Sequence, residues 1–115
     1  MIIDGTPILE DCETVISFWK QELQKQNIQL LNTIRDTPDN VMVSCIYHKN
    51  GQERNPSAGI RKSDGIYHCF ACGETHTLYE AISHSFGYTA DVYGRFGKEF
   101  IMKNFASVSL VNRKA

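Results

Sequence analysis

The 115-residue sequence predicts an α+β fold in which a small antiparallel β-sheet is flanked by helices. Three observations predict it: an apolar stripe at helical spacing near the start, strand-like runs separated by turn formers in the middle, and two matched pairs of possible metal ligands. The length suits one small domain with a single core. We expect an N-terminal helical arm over residues 1–27, a sheet domain over 28–88, and a C-terminal helix and tail over 89–115.

The first helix is predicted over residues 7–26. Thr6 is a suitable cap, and Pro7 is favoured at a first helical position. Apolar residues then recur every three or four positions, which draws one buried stripe: Ile8, Cys12, Val15, Ile16, Trp19 and Leu23. Because Cys12 belongs to this stripe, we expect it to be a small core residue and not a ligand or a nucleophile.

The middle of the chain predicts strands. "IQLLNTI" (28–34) and "VMVSC" (41–45) are joined by "RDTPDN", which is rich in turn formers, so we expect two paired strands that end at Cys45. "PSAGI" and "IYHCF" flank "KSDG", which predicts a hairpin turn with Gly65 in an unusual backbone conformation.

Two further helices are predicted. Thr77 and Glu80 form a capping box before an apolar face that Gly87 can terminate, which predicts a helix over 78–86. The spacing of Val92, Phe96 and Phe100 predicts a helix over 90–104 from a cap at Thr89, although Gly94 and Gly97 weaken it. For the tail "SVSLVNRKA" (107–115) we expect either a strand or a frayed end.

The paired ligands are Cys45-x-x-His48 and Cys69-x-x-Cys72. Two residues between ligands let one tight turn present both side chains to one ion, and 20 intervening residues suffice for a hairpin that brings the pairs together. Two disulfides are the alternative, but the start of the chain lacks a secretory signal, so we expect reduced thiols. The pattern predicts a zinc ribbon with a closed, structural Zn²⁺ site.

The other histidines are weaker candidates. His68 directly precedes Cys69 on a predicted strand, so its side chain should point away from the ion. His76 stands four residues after Cys72 and is an alternative to His48 as a ligand. His84 lies in the predicted helix, where we expect a surface or packing role.

The segment "CIYHKNGQERNPSAGIRKSDGIYHCFACG" resembles the N-terminal zinc-binding domain of bacterial and phage DNA primases. The likeness is specific over residues 45–82: a C-x-x-H pair, a Pro-Ser step at 56–57 and a "YHCFxCG" second pair. A leading helix and strand pair also belong to that domain, which makes the likeness plausible from about residue 10. The resemblance implies that residues 28–88 form a primase-type zinc-ribbon domain.

The resemblance also implies a function in choosing where a primer begins on a single-stranded DNA template. A separate catalytic domain makes the primer in that family, and we find neither a carboxylate cluster for Mg²⁺ nor a phosphate-binding glycine loop outside the ribbon, so we expect no catalysis by this chain alone. A primase catalytic domain, a replicative helicase or a host protein are expected partners. Basic and aromatic groups on the ribbon are the candidates for nucleic-acid contact: Lys49, Arg54, Arg61, Lys62, Tyr67 and His68.

Alternatives remain open at this point. The basic side chains can simply be solvated while Tyr67 and Phe70 pack on the first helix. A net charge of −1 gives no global attraction to nucleic acid, which favours a phage or mobile-element adaptor or inhibitor that binds a protein. A small enzyme is the third alternative; it would need an open coordination position on the zinc or a reactive free cysteine, for which only Cys12 is spare. With neither a signal nor an apolar span, we expect a cytoplasmic protein without membrane contact.

Overall fold

The computed structural model describes residues 1–47 and 56–105. Within these residues the chain forms two sheets and three helices, which confirms an α+β fold with an antiparallel sheet. The elements in chain order are β1 (Ile2–Ile3), β2 (Thr6–Pro7), α1 (Cys12–Lys25), β3 (Ile34–Asp36), β4 (Asn40–Val43), β5 (Ala58–Arg61), β6 (Tyr67–Cys69), β7 (Thr75–His76), α2 (Leu78–Ser85) and α3 (Arg95–Asn104). The predictions for His48, Lys49, Arg54 and the tail over 107–115 lie outside the described residues.

The large sheet has the strand order β3-β4-β5-β6-β7, with every neighbouring pair antiparallel. The small sheet is the separate β1–β2 hairpin. Strand alternation gives the large sheet two different faces. Val41, Val43, Ile60 and Tyr67 are buried on the face that joins the core, whereas Met42 and His68, on the opposite face, are half-buried.

Helix α1 begins five residues later than predicted. Thr6 and Pro7 pair with Ile2 and Ile3 in the hairpin, so they are extended and not helical. The N-cap is Asp11, whose Oδ1 accepts from the backbone N–H of Thr14 at 3.0 Å. The predicted stripe is otherwise confirmed, because its members from Cys12 to Leu23 are buried.

Strand β3 is shorter than predicted, since residues 28–33 are not extended into the sheet. Ile28 donates its N–H back to Leu23 at the end of α1, and Leu31 has a φ of 55° that a continuous strand does not allow. Strand β4 follows the prediction and delivers Cys45 two residues beyond its end. The β5–β6 hairpin is also confirmed, with Gly65 at a φ of 73°.

Helix α2 is confirmed with its complete capping box between Thr77 and Glu80. Helix α3 begins at Arg95 and not near Thr89. The carboxylate of Asp91 accepts from the backbone N–H groups of Arg95 and Phe96 at 2.9 and 2.8 Å, so this side chain organises the helix start.

The three predicted segments contribute to one core. Trp19 of α1 is fully buried, and its Nε1 donates to Ser85 Oγ of α2 at 2.8 Å. Helix α3 adds Ile101 and is followed by buried Phe105, whose ring packs edge-on against Phe18 at 5.3 Å between centroids. Among the described residues no helix is long and apolar enough to cross a membrane.

Candidate metal centre and the adjoining sheet face

Three of the four predicted metal ligands meet at one end of the sheet. Cys45 follows β4, Cys69 ends β6, and Cys72 lies in the turn after it; their sulfur atoms are all within 4.8 Å of one another. The fourth predicted ligand, His48, lies outside the described residues. Cys12, Cys45 and Cys72 carry free thiols, which excludes the alternative of two disulfides. The cluster can therefore hold a metal ion through three thiolates.

The spacing of the sulfur atoms suits a tetrahedral ion. Two thiolates bound to one zinc ion at about 2.3 Å and at the tetrahedral angle lie about 3.8 Å apart. Cys45 Sγ and Cys72 Sγ are separated by 3.8 Å. The two predicted turns thus hold their sulfur atoms at the edge length of a zinc–thiolate tetrahedron.

Local backbone hydrogen bonds shape both turns. The N–H of Tyr47 points to Cys45 Sγ at 3.4 Å, and the N–H of Cys72 points to Cys69 Sγ at the same distance. Gly73 closes the second turn by donating to the carbonyl of Cys69 at 2.9 Å, with a φ of 80° that a residue with a side chain rarely adopts. Each turn therefore directs a backbone donor to its first sulfur.

The two buried thiols have opposite electrostatic environments. Burial raises the pKa of Cys45 above its ordinary value, even though hydrogen bonds from Tyr67 and Tyr47 act against it. Burial also opposes ionisation of Cys69, but hydrogen bonds from the backbone of Cys72 and from the neighbouring thiols outweigh it and lower its pKa. Metal binding must displace the proton of Cys45, so affinity for a metal rises with pH.

None of the other histidines belongs to the described thiol cluster. His68 Nδ1 is 2.7 Å from Thr75 Oγ1, and its position on the face opposite Cys69 agrees with the prediction. His76 is not a ligand of the described cluster: its Nε2 is 2.7 Å from Glu74 Oε2, and its ring stacks on Tyr47 at 4.4 Å. His84 packs on the same Tyr47 ring at 4.3 Å, as expected for a packing role.

Tyr67 requires a correction, because it was predicted to contact nucleic acid. Its side chain is 0% exposed, on the face of β6 that joins the core, so its ring cannot reach a base. Its hydroxyl group is 3.1 Å from Cys45 Sγ and 3.0 Å from the backbone nitrogen of Ile46. Tyr67 belongs to the surroundings of the thiol cluster.

The two basic candidates that the structure describes lie on different faces. The ammonium group of Lys62 lies 2.6 Å from Glu13 of α1 and 2.7 Å from Asp36 of β3, so this residue ties the helix to the sheet and its charge is already balanced. Arg61 is exposed on the opposite face and shares its guanidinium with Asp64, with Nε 2.9 Å from Oδ1.

The prediction missed an exposed aromatic residue on the sheet. Phe70, which directly follows β6, is 66% exposed and does not pack on α1; its ring meets His68 edge-on at 4.9 Å between centroids. A Cβ on Gly59 would lie 3.3 Å from both Phe70 and Met42, so the glycine makes room for these side chains above the sheet. The alternation that places Tyr67 inward and His68 outward also places Phe70 outward, and it could have identified this residue.

The side of the large sheet that faces away from the core is called the open sheet face, and it is defined by Arg35, Met42, Gly59, His68 and Phe70. Arg35, Met42, Gly59 and His68 are consecutive cross-strand partners from β3 to β6, so they share one side of the sheet. Arg35 and Phe70 are exposed, and His68 is half-buried. The face combines a cation with aromatic rings, the two groups that contact phosphates and bases in single strands.

Comparison with protein-family models, with curated proteins and with solved structures found no match to this chain.

Proposed function

We propose that this chain is a noncatalytic zinc ribbon that binds single-stranded nucleic acid on its open sheet face, as a module of the primase type. The observation that carries the proposal is the exposed ring of Phe70 beside His68, one residue from the metal-binding Cys69. Strand β6 places His68, and the start of the following turn places Phe70, on the same side of the sheet. Stacking on such rings is worth about 1 to 3 kcal/mol per base and tolerates any sequence.

For the metal we propose Zn²⁺ held by Cys45, Cys69, Cys72 and His48. The three sulfur atoms and the 3.8 Å edge between two of them support a tetrahedral ion with thiolate ligands. His48 is three residues after Cys45, the spacing at which a tight turn brings a second ligand to the same ion. With four protein ligands the ion has no open position, so its role is structural.

The primase resemblance supports a template-binding role, and the chain's own chemistry supports the absence of catalysis. Cys12, the cysteine outside the cluster, is 1% exposed, and burial raises its pKa to about 12. A thiol that is buried and protonated at neutral pH is a poor nucleophile. The module would act together with a primase catalytic domain or a replicative helicase on a single-stranded DNA template.

The test is titration of a fluorescently labelled single strand of DNA with zinc-loaded protein. Phe70→Ala should weaken binding about 5- to 150-fold, which corresponds to the loss of one stacked base. Tyr93→Ala is the matched control, because it removes a ring that is 84% exposed and lies outside the open sheet face. Equal affinities for the wild type and Phe70→Ala, or affinity independent of salt between 50 and 200 mM, would refute the proposal.

A second candidate function, binding to a protein, is favoured by a different surface. Tyr88, Val92 and Tyr93, in the connection between α2 and α3, are exposed by 52%, 65% and 84%. Clustered exposed apolar side chains mark protein interaction sites in many folded proteins. Capture of a host protein that survives nuclease treatment, and that Tyr93→Ala abolishes while Phe70→Ala does not, would favour an adaptor or inhibitor.

A further inference from the structure

The hydroxyl group of Tyr67 makes two contacts deep in the fold. It lies 3.1 Å from Cys45 Sγ and 3.0 Å from the backbone nitrogen of Ile46, and the whole side chain is buried. The Tyr47 ring meets the Tyr67 ring edge-on at 5.3 Å between centroids. Packing therefore fixes the direction of the hydroxyl group.

The chemistry of these two contacts determines which way the hydroxyl proton points. A backbone N–H can only donate, so Ile46 donates to the Tyr67 oxygen. The single proton of the hydroxyl group is then left for the sulfur of Cys45, which must accept it. Since Tyr47 also directs its N–H to this sulfur at 3.4 Å, Cys45 Sγ has two protein donors.

These donors matter because Cys45 is completely buried, whereas Cys72 is exposed to water. A thiolate ligand in a buried position retains part of its negative charge, and an unpartnered buried charge is costly. Water can provide hydrogen bonds to the sulfur of Cys72, but the protein must provide them for Cys45. The Tyr67 hydroxyl group supplies such a hydrogen bond from a buried side chain.

We propose that Tyr67 is a positioning residue of the metal centre: its hydroxyl group orients the Cys45 sulfur and strengthens metal binding through it. The inference rests on the metal site proposed above. Removing a group that forms a hydrogen bond to a metal ligand typically lowers metal affinity by about 10- to 100-fold. Tyr67 would thus contribute to the ribbon through its hydroxyl group and not through contact with a base.

A purely structural role is the competing explanation, in which the hydroxyl group only satisfies the buried N–H of Ile46. Tyr67→Phe removes both contacts, so a control for the loss of a buried hydroxyl group is needed. Tyr79→Phe supplies it, because Tyr79 is 2% exposed and its hydroxyl group donates to the Ile3 carbonyl at 3.3 Å, away from the thiols.

The experiment measures zinc affinity by competition with a coloured chelator, and the sulfur-to-metal charge-transfer band of the Co²⁺-substituted protein, for the full chain. We expect Tyr67→Phe to bind zinc about 10- to 100-fold more weakly and to shift the Co²⁺ band, while Tyr79→Phe matches the wild type in both. Wild-type affinity and an unchanged band in Tyr67→Phe, or equal changes in the two variants, would overturn the inference.

A second variant covers the case in which Tyr67→Phe does not fold. 3-Fluorotyrosine at position 67 keeps the hydroxyl group and nearly the same shape, but its hydroxyl group is a stronger hydrogen-bond donor. It should therefore shift the Co²⁺ band away from its wild-type position. Where Tyr67→Phe folds, the two shifts should have opposite directions. An unshifted band would overturn the inference. A wild-type chain that binds no metal would instead refute the proposed site itself, and neither readout depends on nucleic acid.

Discussion

Replacing Gly97 with alanine should loosen the contact between α2 and α3. A Cβ at this position would lie 2.0 Å from the carbonyl oxygen of Tyr79 and 2.7 Å from its carbonyl carbon. Backbone atoms cannot rotate away as the end of a side chain can, so α3 would have to move from α2 by roughly 1 Å or more to reach contact distance.

Three contributions set the size of the effect. Overpacking of a close contact costs about 1 to 3 kcal/mol. Displacement of α3 also breaks the 2.8 Å hydrogen bond from the Gly97 N–H to Ser83 Oγ, worth about 0.5 to 1.5 kcal/mol. Alanine regains about 1 kcal/mol of helix propensity over glycine. We expect the variant to lose about 2 kcal/mol of free energy of unfolding.

Urea denaturation followed by the fluorescence of Trp19 measures this change. Trp19 is the single tryptophan, fully buried and hydrogen-bonded to α2, so its emission reports unfolding of the core. Gly87→Ala is the comparison for backbone strain without a clash. Gly87, unlike Gly97, has a positive φ, 94°, and no atom lies within 4 Å of its added Cβ, so only backbone strain of about 1 to 2 kcal/mol is expected. A Gly97→Ala variant as stable as the wild type would refute the packing of α3 described above.

Three further predictions concern the metal and the start of α3. Cys72→Ser should lose the bound zinc, whereas Cys12→Ser should retain one equivalent; elemental analysis of the purified variants measures this, and equal zinc contents would contradict the site. A strong chelator should lower the urea midpoint of the wild type, because metal binding to the folded state adds to stability; an unchanged midpoint would mean that no structural metal is present. Hydrogen bonds from the first N–H groups of α3 hold the pKa of Asp91 below its ordinary value, so its charged form stabilises the fold above about pH 4 and this contribution is lost as the pH falls through the lower folded value. Asp91→Asn should therefore lower the urea midpoint at pH 7 by an amount that shrinks toward pH 3, and a constant difference would contradict this.

Features with short-range causes were predictable from the sequence. The turn at Gly65, the capping box of Thr77 and Glu80, and the thiol pairs all depend on residues a few positions apart. Because the interactions that form these features join residues close in sequence, distant parts of the fold have little influence on them. The same holds for the buried stripe of α1.

Features decided by distant contacts were not predictable in this way. Thr6 and Pro7 suit a helix start as well as a strand, and only their pairing with Ile2 and Ile3 selects the strand. Likewise Gly94 and Gly97 reduce helix propensity, and their value becomes visible only where α3 approaches the backbone of Tyr79. Helix propensity does not include the effect of such contacts between distant residues.

The sequence predicted the thiols of the candidate metal site, but it predicted only some of the residues exposed on the adjoining sheet face. Tyr67 was predicted to contact nucleic acid because a tyrosine ring can stack on bases. The alternation of side chains along β6 instead directs His68 and Phe70 outward, and Tyr67 is buried. Lys62 was chosen for its charge, but its partners Glu13 and Asp36 are 49 and 26 positions away in the chain. Charge in a sequence does not show whether a partner already balances it.

Strand β6 presents Cys69 to one side and His68 to the other, with Phe70 immediately after them. Three consecutive residues thus connect the candidate metal site with the open sheet face, so under the proposed function both binding events would involve one short stretch of backbone. Binding equilibria are reciprocal: if the bound ion changes the affinity for a nucleic acid at Phe70 by some factor, the bound nucleic acid changes the affinity for the ion by the same factor. If the proposed metal site and nucleic-acid site both exist, and the ion strengthens binding at Phe70, chains bound to a single strand would retain the ion at a lower free zinc concentration than unbound chains.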